Sequence, residues 1–155
     1  MKRVRQRRHV TRFLTGLGLL TAMIAAPTGT AHEAPGGPVA AEVLRVLDGD
    51  SVEVSVQLWR GPPQVTRVRL AGIVAPELRG ACDLERRRAL AARDFLTGRL
   101  PKGATIRLSD IITSNPGRLV LARVGGADGE DLSETLLHGG FAHAAGGSRA
   151  TAWCD

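Results

Sequence analysis

Acidic and arginine side chains recur in three short segments of this sequence: LDGDSVEV (47–54), RLAGIVAPE (69–77) and PGRLVLARV (116–124). Carboxylates bind hard cations and accept protons from water, and a planar guanidinium group donates paired hydrogen bonds to phosphate oxygens. The candidates for cation and phosphate chemistry are therefore Asp48, Asp50, Arg69, Glu77 and Arg118.

Each of these residues also has an ordinary explanation. Asp48 and Asp50 flank a glycine, and Asp-Gly sequences favour tight turns without any ligand. An acid after proline, such as Glu77, is most often a solvated loop residue, and an arginine in a strand most often keeps the outer face soluble. Arg67 and Arg123 fit that second explanation. The three segments need a structural frame before they indicate a site.

The frame is mainly β. Alternating and β-branched runs separated by turn residues predict strands, and apolar residues at helical spacing predict helices. The predicted strands are 39–47, 51–59, 64–73, 104–112 and 118–124, and the predicted helices are 83–97 and 131–138. Gly98 is expected to end the first helix and Gly139-Gly140 the second. The order β-β-β-α-β-β-α predicts an α+β fold, a five-stranded Greek-key barrel of the OB-fold type.

The amino terminus has the pattern of an export signal. Six basic residues and no acid precede an apolar run from Phe13 to Ala26, which is too short to span a bilayer. Small residues end at Ala31, where we expect cleavage, and an uncleaved anchor is the alternative. The predicted organisation is a signal peptide (1–31), a Pro- and Gly-rich linker (32–38) and one domain (39–155).

Cleavage would change the charge of the protein. The whole chain has 21 basic and 15 acidic side chains, and losing six basic residues leaves 15 of each sign. The net positive charge of +6 belongs to the leader. Binding of a polyanion would therefore depend on the local arrangement of charges in the domain.

Two cysteines, Cys82 and Cys154, remain in the predicted domain. In an oxidising compartment an even pair is more often bonded than free, although two separate thiols remain the alternative. A bond would fix the tail to the middle of the chain and contribute on the order of 4 kcal/mol by the loop-entropy estimate.

From Val39 to Phe141 the chain resembles the staphylococcal nuclease, or thermonuclease-like, family. The element Arg-Leu-x-Gly-Ile-x-x-Pro-Glu, placed after an Asp-Gly-Asp hairpin, carries the resemblance together with the third segment. The ending, with Gly146-Gly147 and Trp153-Cys154, is similar to a short exported bacterial branch of that family. In this branch the tail cysteine is expected to pair with one just after the Pro-Glu.

The resemblance implies a role for each candidate residue. It makes Glu77 the general base, and Arg69 and Arg118 the two arginines that hold phosphate. It makes Asp50 a carboxylate ligand of Ca²⁺, Ala75 the source of a backbone carbonyl ligand, and Asp48 a supporting acid. The implied activity is calcium-dependent hydrolysis of DNA or RNA.

Two departures from the family pattern put that activity in doubt. Val74 stands where the family has its second aspartate ligand, and valine does not bind a cation. The family stacks bases on tyrosines and places a lysine near the phosphates. This chain has no tyrosine, and Asn115-Pro116 occupy the Lys-Tyr positions. The departures predict weaker calcium binding and weaker binding of single strands.

Two functions follow from these residues. The first is an exported nuclease, periplasmic or extracellular, in which Asp48 or a water-held cation makes good the missing ligand. The second is a non-catalytic barrel that binds nucleic acid, another anionic polymer or a protein through Arg69 and Arg118. Retention of Glu77 favours the enzyme, and Val74 favours the binding module. In either case we expect a monomer with no membrane attachment after cleavage.

Overall fold

A closed five-stranded barrel forms the centre of the domain. The computed structural model describes residues 37–115, 119–147 and 152–154. The strands are β1 (Val39–Asp48), β2 (Ser51–Val56), β3 (Gln64–Leu70), β4 (Ile73–Val74), β5 (Thr105–Asn115), β6 (Leu119–Gly125) and β7 (His143–Ala144). The helices are α1 (Asp83–Arg99) and α2 (Leu132–His138). The predicted signal peptide, most of the linker, and Arg118 lie outside the described residues.

The strands close in the order β1-β2-β3-β6-β5. All neighbours in this ring are antiparallel except β3 and β6, which are parallel. Parallel neighbours need a long crossover, which here runs through α1 and β5. The predicted α+β architecture with a five-stranded OB-fold-like barrel is confirmed. β4 and β7 form a separate two-stranded sheet that was not predicted, because two residues carry no readable alternation.

The core lies inside the barrel and beneath the two helices. Alternate residues of β2 and β3 are buried, since successive side chains of a strand point to opposite faces. Leu96 on α1 and Leu136 on α2 are fully buried in the same cluster. In the described part of the chain, neither helix is long and apolar enough to cross a membrane.

The first helix ends two residues later than predicted, at Arg99. Cys82 is its N-cap, and Gly98 lies inside the helix rather than ending it. The backbone N–H of Leu100 still bonds to the carbonyl of Leu96, 2.9 Å away, and both leucines are buried. Their packing therefore outweighs the weak helix propensity of glycine. The second helix ends at Gly139-Gly140 as predicted, with Gly140 at a φ of 70°.

The tail is attached to the first helix by a disulfide bond. Cys82 and Cys154 are bonded, with their Cα atoms 6.0 Å apart, so the predicted pairing is confirmed. Arg88 donates a hydrogen bond to the carbonyl of Trp153 at 2.7 Å. The buried ring of Trp153 stacks on His143, with ring centroids 3.7 Å apart. The bond and the stack together hold the tail against β7.

Candidate active-site cleft

Asp50 is a buried acid at the start of β2, with only 5% of its surface exposed. Its Oδ1 accepts a hydrogen bond from the Ser51 hydroxyl at 2.9 Å. Its Oδ2 accepts from the backbone N–H of Ala75 at 3.0 Å and from Arg69 at 3.1 Å. Burial raises the pKa of the Asp50 carboxyl, and these donors and the Arg69 charge only partly offset the effect.

Asp48 both shapes the turn and reaches the arginines. Its Oδ1 accepts from the backbone N–H of Asp50 at 3.1 Å, which is the turn chemistry expected of an aspartate there. Its Oδ2 accepts from Arg67 at 3.1 Å. The interpretation of Arg67 as a solubilising residue was incomplete, because this side chain lines the cleft and holds Asp48.

Gly49 lets this turn approach the rest of the fold closely. A Cβ at this position would stand 2.7 Å from the Cβ of Ala92 on α1 and 2.8 Å from the Cβ of Ala75. Only a hydrogen fits in that space, so the turn is wedged between the helix and the segment after β4. This contact sets the distance between Asp50 and Ala75.

Strand pairing brings Arg69 to the acids. Ser51 on β2 is the register partner of Arg69 on β3, so the arginine stands beside the start of β2. Side chains alternate along β3, and Arg67 and Arg69 point outward while Val68 and Leu70 fill the core. A register shift of one residue would bury both guanidinium groups.

Glu77 lies in the loop between β4 and α1, and Glu85 holds that loop at both ends. The Glu85 carboxylate accepts from the backbone N–H of Glu77 at 3.3 Å and from that of Ala81 at 2.9 Å. Gly80 packs so closely on this carboxylate that a Cβ would lie 2.3–2.5 Å from its atoms. The Glu77 side chain is exposed, and no described residue donates a hydrogen bond to its carboxylate.

These residues border one cleft of about 530 Å³. The residues that line it are Asp48, Asp50, Ser51, Arg67, Arg69, Ala75, Pro76, Glu77, Leu78 and Arg79. Five of the sequence-predicted site residues are therefore brought together, while Arg118 lies outside the described residues. Val74 lies one residue before this lining, half-buried in β4 opposite His143.

Ser51, Arg67 and Arg79 border the cleft without having been predicted there. Register would have indicated the first two, since Ser51 pairs with Arg69 and Arg67 is two residues before it on the same face. Arg79 had no such signal, because its place depends on the path of the loop after Glu77. In the described part of the chain, nothing pairs with its guanidinium group.

The acids of the cleft are of the type that a hard divalent cation prefers, but within the described residues Asp48, Asp50 and Glu77 do not bring three ligand oxygens within 4.8 Å of one another. Asp48, Asp50 and Glu77 supply carboxylate oxygens, which Ca²⁺ prefers. A carboxylate has about four lone-pair sites, and three hydrogen bonds already occupy Asp50. Ala75 contacts Asp50 through its N–H, which fixes the carboxylate but is not itself a ligand. The valine at position 74 leaves this set one acid short.

The cleft thus combines carboxylates that could hold a cation and take a proton with arginines that could hold phosphate. No protein-family model matches this chain, and no curated protein sequence matches it either. The function must therefore be argued from the residues of the cleft and their geometry.

Proposed function

We propose that this protein is an exported member of the thermonuclease-like family that hydrolyses phosphodiester bonds of nucleic acid with the help of Ca²⁺. One observation carries the proposal: a buried acid (Asp50), an arginine that donates a hydrogen bond to it (Arg69) and an exposed acid (Glu77) border the same cleft. An acid that can accept a proton from water and an arginine that can stabilise charge on phosphate suit phosphodiester hydrolysis. The Cys82–Cys154 disulfide is compatible with export to an oxidising compartment.

Each residue has a chemical task in this proposal. Arg69 binds a nonbridging phosphate oxygen and offsets the charge that builds up as water attacks phosphorus. Glu77 takes the proton of that water as the new P–O bond forms, and the bond to the leaving sugar oxygen breaks as this oxygen takes a proton from solvent water and departs as a hydroxyl group. The exposure of Glu77 suits this task, because its carboxylate is open to water and substrate. A bound calcium ion would supply charge stabilisation at the phosphate.

Two observations favour a second function, a binding module without catalysis. Val74 removes one anionic ligand, and Asp50 is already satisfied by Ser51, Ala75 and Arg69 without any cation. A cleft of this kind can hold an anionic polymer on Arg67, Arg69 and Arg79, which all border it. A binding module has no role for the Glu77 carboxylate, so the enzyme is the better proposal.

A nuclease assay of the purified protein separates the two functions. A fluorescent single-stranded DNA is incubated with the protein in calcium and, separately, in chelator, and the Glu77→Gln variant serves as the control. The enzyme predicts cleavage in calcium only, and its loss in the variant. Binding without cleavage in either buffer would leave the binding module as the function.

A further inference from the structure

An apolar patch lies on the outer face of the barrel. In the described part of the chain, three of the four exposed large apolar side chains are Val65 (60% exposed), Ile112 (62%) and Leu119 (40%). Leu119 and Leu121 follow one another on the outer face of β6, Ile112 is the register partner of Leu121, and Val65 is two residues from the partner of Leu119. Single exposed apolar residues are common, but contiguous ones indicate a contact surface.

A bulge in β5 turns Ile112 toward that face. Ile106 and Leu108 point into the core, and strict alternation would send Ile112 inward with them. The register shifts between Ser109 and Ile112, where Asp110 has a φ of 50°. One extra residue reverses the alternation, so that Ile112 is exposed. The chain thereby leaves a large apolar side chain in water when burial would stabilise the fold.

The patch borders the arginines of the cleft. Leu119 is the register partner of Arg67, and Leu121 is the register partner of Arg69. Paired strands are about 4.8 Å apart, so the backbone of each leucine lies one strand spacing from the backbone of an arginine on the same outer face of the barrel. A ligand with its charged groups on the arginines would therefore place its neighbouring groups over the leucines.

We propose that this apolar ledge, defined as Val65, Ile112, Leu119 and Leu121, contacts the bases of single-stranded nucleic acid while Arg67 and Arg69 hold its phosphates. A single strand alternates anionic phosphates with flat, weakly hydrated bases, which matches arginines next to aliphatic side chains. A duplex keeps its bases stacked inside, so their faces are not accessible to the apolar side chains of the ledge. The inference rests on the proposed binding of nucleic acid at this cleft and adds the strandedness of the substrate.

The test compares a strand that has bases with one that lacks them. A thymidine oligonucleotide and an abasic strand of equal length are titrated into the protein in calcium, with Glu77→Gln in every sample to prevent cleavage. Ile112→Ser with Leu119→Ser should weaken binding of the thymidine strand about fivefold and leave the abasic strand unchanged. Leu90→Ser is the matched control, since Leu90 is 45% exposed on α1, outside the ledge.

Other outcomes would overturn the inference in distinguishable ways. If the double variant loses the same affinity for both strands, or loses none, the ledge does not contact bases, while the proposed function still stands. If the protein with an unsubstituted ledge binds neither strand, both the base contact and the proposed function are wrong. A change from dimer to monomer in sedimentation of the ledge variant would make this face a contact between copies of the chain. Ile112→Thr, which keeps the β-branched shape, replaces the double variant if that one does not fold.

Discussion

Asp50 shows how one buried carboxyl group links stability to ligand binding. Burial raises its pKa despite the Ala75 amide, Arg69 and Ser51 around it. The folded state therefore holds this proton more tightly than the unfolded chain does. Its contribution to stability is fully present below the ordinary pKa of aspartate and is lost as the pH rises through the raised value. At neutral pH the ionised Asp50 opposes folding, and a bound cation would relieve that opposition.

Asp50→Asn should separate these two effects. The amide keeps the shape and the acceptor for Ala75, but it has no charge to desolvate. We expect a higher free energy of unfolding than wild type at neutral pH, a difference that disappears in acid, and loss of calcium binding. Urea titrations across pH, with calcium calorimetry, measure both. A variant that is less stable at neutral pH would show that the Arg69 pair outweighs desolvation.

Val74→Asp tests whether the missing ligand limits activity. The added carboxylate is close to valine in size and directly precedes Ala75, whose N–H binds Asp50. We expect calcium affinity to rise and cleavage to accelerate at least about tenfold, or roughly 1.4 kcal/mol in barrier. Adding Glu77→Gln should abolish the gain. If the folded variant neither binds calcium nor cuts DNA, the binding module becomes the better function.

The sequence indicated most of the residues that border the cleft, but it did not indicate which contacts they make there. Asp48, Asp50 and Arg69 border one cleft because a hairpin and a strand register place them there, and the loop before α1 brings Glu77 to the same cleft. Arg67 was taken for a surface residue because alternation along a strand shows only that a side chain points outward. It does not show whether that side chain borders a cleft. Arg79 needed the loop, and no pattern in the sequence specifies how a loop folds.

Among the elements, one close contact joins the β1–β2 hairpin to α1. Gly49 in the hairpin makes this contact with Ala92 of the helix. Gly49→Ala forces a Cβ against Ala92 and Ala75 and should destabilise the fold by about 1–3 kcal/mol. Gly98→Ala is the matched control, because nothing lies within 4 Å of its Cβ position inside α1. It should stabilise the fold by about 0.5–1 kcal/mol. Thermal unfolding of both variants measures the contrast, which equal effects would contradict.

The loop that carries Glu77 depends on Glu85 in α1. Glu85→Ala removes the acceptor for the N–H groups of Glu77 and Ala81, and these amides should exchange with solvent about tenfold faster. Glu134→Ala is the control, because Glu134 is also an acid in the first turn of a helix. Amide exchange followed by NMR gives the result without requiring activity. Unchanged exchange at both amides would mean that another contact holds the loop.

The order of the elements was predictable, while their irregular parts were not. Five strands and two helices could be located because apolar periodicity and turn residues mark them. The bulge at Asp110 has no such mark, since its sequence continues an ordinary strand pattern. The late end of α1 follows from the burial of Leu96 and Leu100, which is a property of the folded core.

Taken whole, the molecule is tied together by the bond between Cys82 and Cys154. The bonded cysteines are separated by 72 positions in the sequence, and restraining so long a loop in the unfolded chain contributes on the order of 4 kcal/mol. Reduction should therefore lower the melting temperature markedly, and untreated protein should contain no free thiol. Calorimetry with and without reductant, and mass analysis after alkylation, measure these two results. Two alkylated cysteines in untreated protein would contradict the bond.

The same bond makes a covalent ring of residues 82–154, which contains α1, β5, β6, α2 and β7. The turn at 127–129 within this ring is exposed to solvent. A protease that cut there would open the ring without releasing either piece, because each would stay attached to the other through sulfur. The barrel before the nick and the elements α2 and β7 after it would remain at high effective concentration, ready to pack together again. A single cleavage at this turn by a surrounding protease would therefore leave one covalently connected protein that can keep its fold.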